Sequence, residues 1–241
     1  MAKTSGLGDN FYIGGYDLSG DVGSLEQISG GPALLDVTPI SKSAHVRLGG
    51  LRSGDIQFTS FFDAAAGAEH PALSTLPRTD VIATYARGTT VGNPAACLVA
   101  KQVNYDPTRD NAGGLTLKVD LQSNAYGLEW GVQLTAGLRT DTTGTTGSAY
   151  DNTISGTNGA QGYCQVTAFS GSSVDIKIRH CTTSGGTYAD LIDFGSFSGI
   201  GAARVTAAGT VNEFFKVVTS GTFTSATFSV VIAVNTTAVV F

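Results

Sequence analysis

Apolar and polar residues alternate with a period of two over much of the chain. The clearest case is residues 55–62, where Ile56, Phe58 and Ser60 fall on one side of the pattern and Gln57, Thr59 and Phe61 on the other, as a half-buried strand requires. Residues 34–40 alternate likewise, and residues 11–13 and 22–28 read as strand pieces around the turn signal Asp17-Leu-Ser-Gly-Asp21. Further strands are predicted at 80–85, 95–105, 115–122 and 128–134, the last containing the only tryptophan, Trp130. The polar, turn-rich stretch from Asp106 to Gly114 joins 95–105 and 115–122 as a long hairpin. Residues 63–77 break the pattern: Ala64, Ala65, Ala66, Ala68, Leu73 and Leu76 favour a helix, and Pro71 suits a first helical turn.

Residues 139–158 carry Thr, Gly, Ser and Asn with almost no apolar side chains, which predicts a flexible linker. Strands resume at 163–169, 174–181, 188–194, 201–207, 213–218 and 223–234. Six short strands at regular spacing argue for a second, small β-sandwich. The expected fold class is all-β with one short helix, divided into a domain at 1–138, a linker at 139–158 and a sandwich at 159–241. The apolar run at 230–234 is far shorter than the roughly 20 residues of a membrane-spanning helix. Residues 222–234 are nevertheless rich in β-branched and aromatic types, so they belong inside a sheet or an interface.

Composition agrees. Only 14% of the 241 residues are charged, 41% are hydrophobic and 32 are glycine, whereas solvated helix faces would demand more Glu, Lys and Arg. The net charge of −5 argues against a phosphate-neutralising grip on nucleic acid. Residues 1–138 carry the acidity, with nine Lys and Arg against thirteen Asp and Glu; the remainder has five against six. Cys97, Cys164 and Cys181 are too few for a disulfide framework and lack CxxC spacing, so free buried thiols are expected. A hairpin turning at 170–173 would put Cys164 on the face of Val166 and Cys181 on that of Lys177 and Arg179, which also argues against a bond between them. The opening Met-Ala-Lys-Thr-Ser-Gly lacks the apolar core of a secretory signal, so a product made and kept in a cytoplasm is expected.

No constellation for chemistry stands out. Gly14-Gly15, Gly30-Gly31, Gly49-Gly50 and Gly144-Thr-Thr-Gly147 lack the order that cradles a phosphate and read as turns. His45, His70 and His180 are isolated, and the adjacent His180 and Cys181 point to opposite faces of a strand. Gly50-Leu-Arg-Ser-Gly54 and Gly195-Ser-Phe-Ser-Gly199 put serine one place too late for a nucleophile elbow. The acid pairs Asp106 with Asp110 and Asp190 with Asp193 have the residue types of a glycosidase, but Asp is equally at home in turns. Asn235-Thr-Thr237 matches a glycan acceptor that a cytoplasmic product would not use. The expectation is no enzyme, no catalytic, cofactor-binding or metal-ligating residue, and no cofactor. One binding alternative is a carbohydrate-binding module in 159–241, with Tyr163, Tyr188 and Phe197 as a stacking platform, although aromatics at strand positions more often serve a core.

Three motifs carry a resemblance. Asp17-Leu-Ser-Gly-Asp-Val-Gly-Ser-Leu25, Leu35-Asp-Val-Thr38 and Arg47-Leu-Gly-Gly-Leu-Arg-Ser-Gly-Asp-Ile-Gln-Phe58 occur in the order found in tail tube proteins of siphophages that infect actinobacteria, with Ser53-Gly54-Asp55 departing slightly from the pattern. Ala100-Lys-Gln-Val-Asn-Tyr-Asp-Pro107 and Leu115-Thr-Leu-Lys-Val-Asp-Leu-Gln-Ser123 resemble that family's closing hairpin. The resemblance covers roughly residues 10–135. It implies a β-sandwich flanked by a helix, six copies in a ring, sheets joined into an inner barrel, and rings stacked into a tail tube that conducts DNA without binding it specifically. Implied partners are further copies of the chain and other tail proteins, with no membrane; the implied location is the virion tail, assembled in the host cytoplasm. Residues 159–241 look like the appended outer sandwich of some tail and decoration proteins. A capsid decoration or minor capsid protein is the alternative in the same class.

Overall fold

The computed structural model describes residues 5–237; the N-terminal reading of residues 1–4 lies outside the described residues. In chain order the elements are β1 (Asn10–Ile13), β2 (Tyr16–Asp17), β3 (Val22–Asp36), β4 (Arg47–Phe61), α1 (Glu69–Leu73), β5 (Val81–Ala86), β6 (Pro94–Gln102), β7 (Asp106–Arg109), β8 (Leu115–Ser123), β9 (Glu129–Gln133), β10 (Arg139–Asp141), β11 (Tyr150–Asp151), β12 (Ala160–Cys181), β13 (Ala189–Phe197), β14 (Gly201–Ala207) and β15 (Phe214–Val234). The protein is all-β apart from α1, and Pro71 sits in the first turn of that helix, where its missing N–H costs nothing.

The run Ala-Ala-Cys-Leu-Val-Ala at 95–100 is apolar at every position because β6 is buried on both faces. Ala96, Leu98 and Ala100 enter a core shared with Phe11, Ile13, Ile56, Phe58, Leu73, Val119 and Leu121. That core lies between β1, β5 and β6 on one side and β4 and β8 on the other. Ala95, Cys97 and Val99 face the opposite way, onto Tyr12, Tyr163 and Val231. The C-terminal half of the chain is therefore docked on the back of the first sheet.

That half has fewer and longer strands than its sequence predicts. The strands expected at 163–169 and 174–181 are one 22-residue strand, β12, and those expected at 213–218 and 223–234 are the 21-residue β15. The signals Ser170-Gly-Ser-Ser173 and Ser220-Gly221 mark a shared bend, with Gly171 at φ 146° and Gly221 at φ 116° close in register. Each strand has the other as partner along its length, so the two bend together instead of reversing. Beyond the bend β12 changes outer partner, from β14 at residues 160–166 to β13 at residues 174–180. The folded ribbon encloses Cys164, Val166, Ile176, Ile178, Phe215, Phe228 and Ile232. The hairpin used to place the cysteines is thus absent: Cys164 and Cys181 lie near opposite ends of one strand, and all three thiols are free and buried. Burial raises the Cys97 and Cys164 thiols well above the ordinary range.

Residues 139–158 are not a bare connection. β10 and β11 both pair with β15, and bridges join Thr146 to Val218 and Gly156 to Val211. Arg139 donates from Nε and Nη2 to both oxygens of Asp141 (2.8 and 2.6 Å), and Thr219 Oγ1 donates to the same carboxylate (2.6 Å). A scarcity of apolar side chains predicted no side-chain burial there, but an edge that pairs through backbone needs none.

A polar cluster fixes the docking of the two halves. Arg204 on β14 donates to both oxygens of Glu129 on β9 (3.0 and 3.1 Å) and stacks on the Tyr126 ring at 3.7 Å. Tyr163 hydroxyl also donates to Glu129, and both charged side chains are nearly buried. Beside them, Gln165 accepts from Gly15 N–H (2.8 Å) and donates to the Ile82 carbonyl (2.8 Å). Removing one member of a buried ion pair strands its partner, which costs roughly 3–5 kcal/mol. Arg204→Ala is therefore expected to lower unfolding stability by about that amount in urea titrations, with a smaller loss when Glu129→Gln is combined with it.

Candidate assembly surface

The residues that stand out for function lie on one sheet, in the order β3–β4–β8–β7. One face of it belongs to the first core. On the other, alternation places Gln27 and Ser29 of β3, Asp55, Gln57 and Thr59 of β4, Lys118, Asp120 and Gln122 of β8, and Asp106 of β7 in cross-strand register. These side chains are part or fully exposed, while Ile56, Phe58, Leu117, Val119 and Leu121 between them are buried. Among the described residues no other layer covers this polar face.

Its electrostatics are acidic. Glu26 accepts from Thr59 Oγ1 (2.5 Å) and pairs with Lys118 (3.1 Å). Asp55 and Asp120 lie diagonally across β4 and β8, and each retains a buried oxygen with no hydrogen-bond partner. Burial first, and then the neighbouring Asp120, push the Asp55 carboxyl above the ordinary range.

Both edges of this sheet lack a strand partner over much of their length. Among the described residues β3 pairs only with β4 and β7 only with β8, while beyond β7 the edge of β8 is taken by β6 at residues 121–123. Beyond Gly30 and Gly54, whose backbones pass close to Leu128, β3 and β4 continue as an arm. In it Leu35 lies opposite Leu48, and Val37 N–H donates to Val46 O (2.9 Å). Leu34, Leu35, Val37, Ile40, Val46, Leu48 and Leu51 are all exposed, Ile40 and Leu51 almost entirely. Leu35, Val37, Val46 and Leu48 share one face of this solvated hairpin, with Leu34 on the other, and exposed apolar side chains in this number mark an interaction site. The arm is also basic: Lys42, Arg47 and Arg52 face the single acid Asp36, leaving six Lys and Arg against twelve Asp and Glu in the rest of residues 1–138.

The residues weighed for chemistry are scattered. Asp106 accepts from Asn104 (2.7 Å) and Asp110 accepts from Gly114 N–H (2.7 Å), as turn residues do. Asp190 and Asp193 both pair with Lys177 (3.0 and 2.9 Å), and Asp190 also with Arg179 (2.6 Å); these contacts hold both carboxyls below the ordinary range. His45 meets Asp36 in the arm (2.8 Å), His70 meets Tyr105 (2.5 Å), and His180 Nδ1 accepts from Asn212 N–H (3.1 Å). Tyr163 is buried at the junction between the halves, so it forms no surface platform with Tyr188 and Phe197; Lys216 lies over the Tyr188 ring at 4.3 Å, and Phe197 packs on the second core. Among the described residues no group of three or more His, Cys, Asp or Glu is placed to hold a metal ion, and no helix is long and apolar enough to cross a membrane. The apolar arm was not singled out from sequence. Its signal is the Leu/Val residues of 34–37 and 46–51, the first following Gly30-Gly31 and the second containing Gly49-Gly50.

Fold and surface together define an all-β protein with a sheet solvated on one face and a protruding arm. No protein-family model matches the chain, and no curated protein matches it in sequence. Among solved structures it is similar to the Dit protein (gp 19.1) of phage SPP1, described as a paradigm of the hub adsorption apparatus in phages infecting Gram-positive bacteria: 12% identity over 94% of this chain and 99% of that one, TM-score 0.35. It is also similar to chains of the phage P2 baseplate in its activated conformation with calcium (10% identity, 94% and 98% coverage, TM-score 0.36) and with strontium (9%, 94% and 98%, 0.35).

Asp55→Asn tests the acid pair, because the amide can donate to Asp120. A carboxyl whose folded pKa is raised loses stability as pH climbs from its unfolded value, about 3.9, through the folded one. The Tm advantage of Asp55→Asn over the parent is expected to be near zero at about pH 3.5 and to grow toward neutrality; a pH-independent difference would refute the pairing.

Proposed function

We propose that the protein is a structural subunit of a tailed-phage virion whose copies close into a ring through sheet β3–β4–β8–β7, forming the tail tube. The observation that carries this is the strand count. Four strands of alternating direction leave β3 and β7 antiparallel to each other, so β7 of one copy set beside β3 of the next continues the alternation without a break. The body of each copy lies on the core side of the sheet, so closure turns the polar, acidic face inward. A lumen of that kind repels phosphate and suits passing DNA that it must not bind. The resemblance of residues 10–135 supplies the ring of six, the stacking of rings and the division into a ring-forming part at 1–138 and an outer part at 159–241.

The arm is the second contact. Its apolar residues and positive charge complement an acidic body, and the occupant that fits is a neighbouring copy. Replacing residues 33–51 by Asn-Gly is expected to leave the circular dichroism spectrum intact while sedimentation shifts wholly to monomer. Negative-stain images of the unaltered protein should show closed rings or open-ended tubes with a regular repeat. Isolated trimers would favour a capsid-surface protein instead, and a monomer at every concentration reached would sink the reading.

A further inference from the structure

α1 carries a carboxylate that has no counter-charge among the described residues. Glu69, its first residue, is completely buried; neither carboxylate oxygen has a partner at good hydrogen-bond geometry, and the one donor acting on it is the neutral Ser60 hydroxyl of β4. Its backbone N–H is held by Asp21 Oδ2 (3.0 Å), which brings a second acid against the same turn. The groups that act on Glu69 come from every side of its site: Asp21 from the turn before β3, Ser60 from β4, and Asp63 from the connection into α1; Asp17 stands behind Asp21, and Tyr105 lies on the β6–β7 connection. None is a cation. The imidazole of His70 is engaged with Tyr105 hydroxyl and packs against Phe62 at 4.8 Å.

An isolated ionised carboxylate in such a place is costly, and a neutral acid is not. We propose that α1 is a proton-held latch: Glu69 docks as the neutral acid, and residues 63–77 loosen from the sandwich when it ionises. Electrostatics point the same way, since burial chiefly, with Asp21 and Asp63 adding to it, raises the Glu69 carboxyl to about 7 against a weaker opposing pull from Ser60. The sign follows. The proton is bound in the docked state and lost in the free one, so docking is strongest below the ordinary carboxylate range, weakens as pH rises toward neutrality, and levels off above it.

Few contacts resist release. α1 has five residues, and what holds it is Leu73 and Ala72 on the first core, the Gln102 side-chain amide on the Leu73 carbonyl (2.8 Å), the His70 contacts with Tyr105 and Phe62, and the Asp21 contact. Phe62 and Leu76, within the segment or next to it, are already exposed, as is Val103. Unlatching would enlarge the apolar surface offered at this end of the molecule. The latch does not depend on the ring reading, which concerns the opposite face of β4.

Hydrogen exchange of the full-length protein, followed by mass spectrometry and corrected for the intrinsic effect of pH, measures the latch directly. Protection of residues 63–77 is expected to fall on the order of tenfold or more between about pH 5.5 and pH 8, with β6 and β12 unchanged. Glu69→Gln should keep those residues protected at both pH values. Should that variant not fold, Asp63→Asn, which removes a repelling charge, should move the unlatching midpoint to lower pH. Equal protection at both pH values in the unaltered protein would overturn the proposal, as would a pH response that survives Glu69→Gln. Recovery of protection at pH 8 on adding calcium chloride would also overturn it, by making the site a cation site.

Discussion

A strand that buries both faces has no polar stripe to give to solvent, and β6 with its neighbours β1 and β5 is in that position. One face of this layer meets β4, β8 and α1, and the other meets the C-terminal half through Tyr12, Cys97, Val99, Tyr163 and Val231. The small residues Ala95, Ala96 and Ala100 let both neighbouring layers approach. Because the same strands serve two cores, the halves of the chain are welded across a sheet and not strung on a linker. The path through β9 and β15 extends the hydrogen-bonded sheet across the junction.

With the back of the molecule occupied in this way, solvent is left to the far side of β3–β4–β8–β7. There β4 and β8 alternate regularly, β3 is interrupted by bulges, the outward residues are Gln, Ser, Thr, Lys and Asp, and the outer edges of β3 and β7 stay open among the described residues. An open strand edge is a liability in a monomer. In the proposed subunit, pairing with a neighbour would satisfy the edge's backbone groups and cover the apolar arm at once. The opposite charges of arm and body favour that encounter over contact between two like surfaces.

Buried charge is treated in two ways. Glu129 and Arg204 are paired in bidentate fashion, supported by Tyr163 and stacked on Tyr126, so their desolvation is offset and the junction between the halves is held in one geometry. Glu69 has no such partner, and acids surround it. The first arrangement stabilises a fixed joint at any pH near neutrality, whereas the second makes the docking of a short helix depend on one proton. Rigid and releasable contacts thus sit on different sides of the same first core.

The sequence by itself determined the all-β class, the short helix around Pro71, the inward and outward sides of residues 55–62, and the free state of the thiols. These follow from local periodicity, turn chemistry and composition, which a chain carries into any environment. It left open what the glycine-rich signals at 170–173 and 220–221 would do, since a bend and a reversal need the same residues, and only the partner strand decides between them. Residues 139–158 looked structureless because their order comes from backbone pairing with β15, which leaves no hydrophobic trace. Tyr163 read as a possible surface aromatic until β14 and β9 closed over it. The polar face was legible in its pattern, but that it is uncovered, that both its edges are open and that Glu69 lies buried among acids depended on where distant segments came to rest. Only the tertiary structure fixes such contacts, because they join residues that no period along the chain relates.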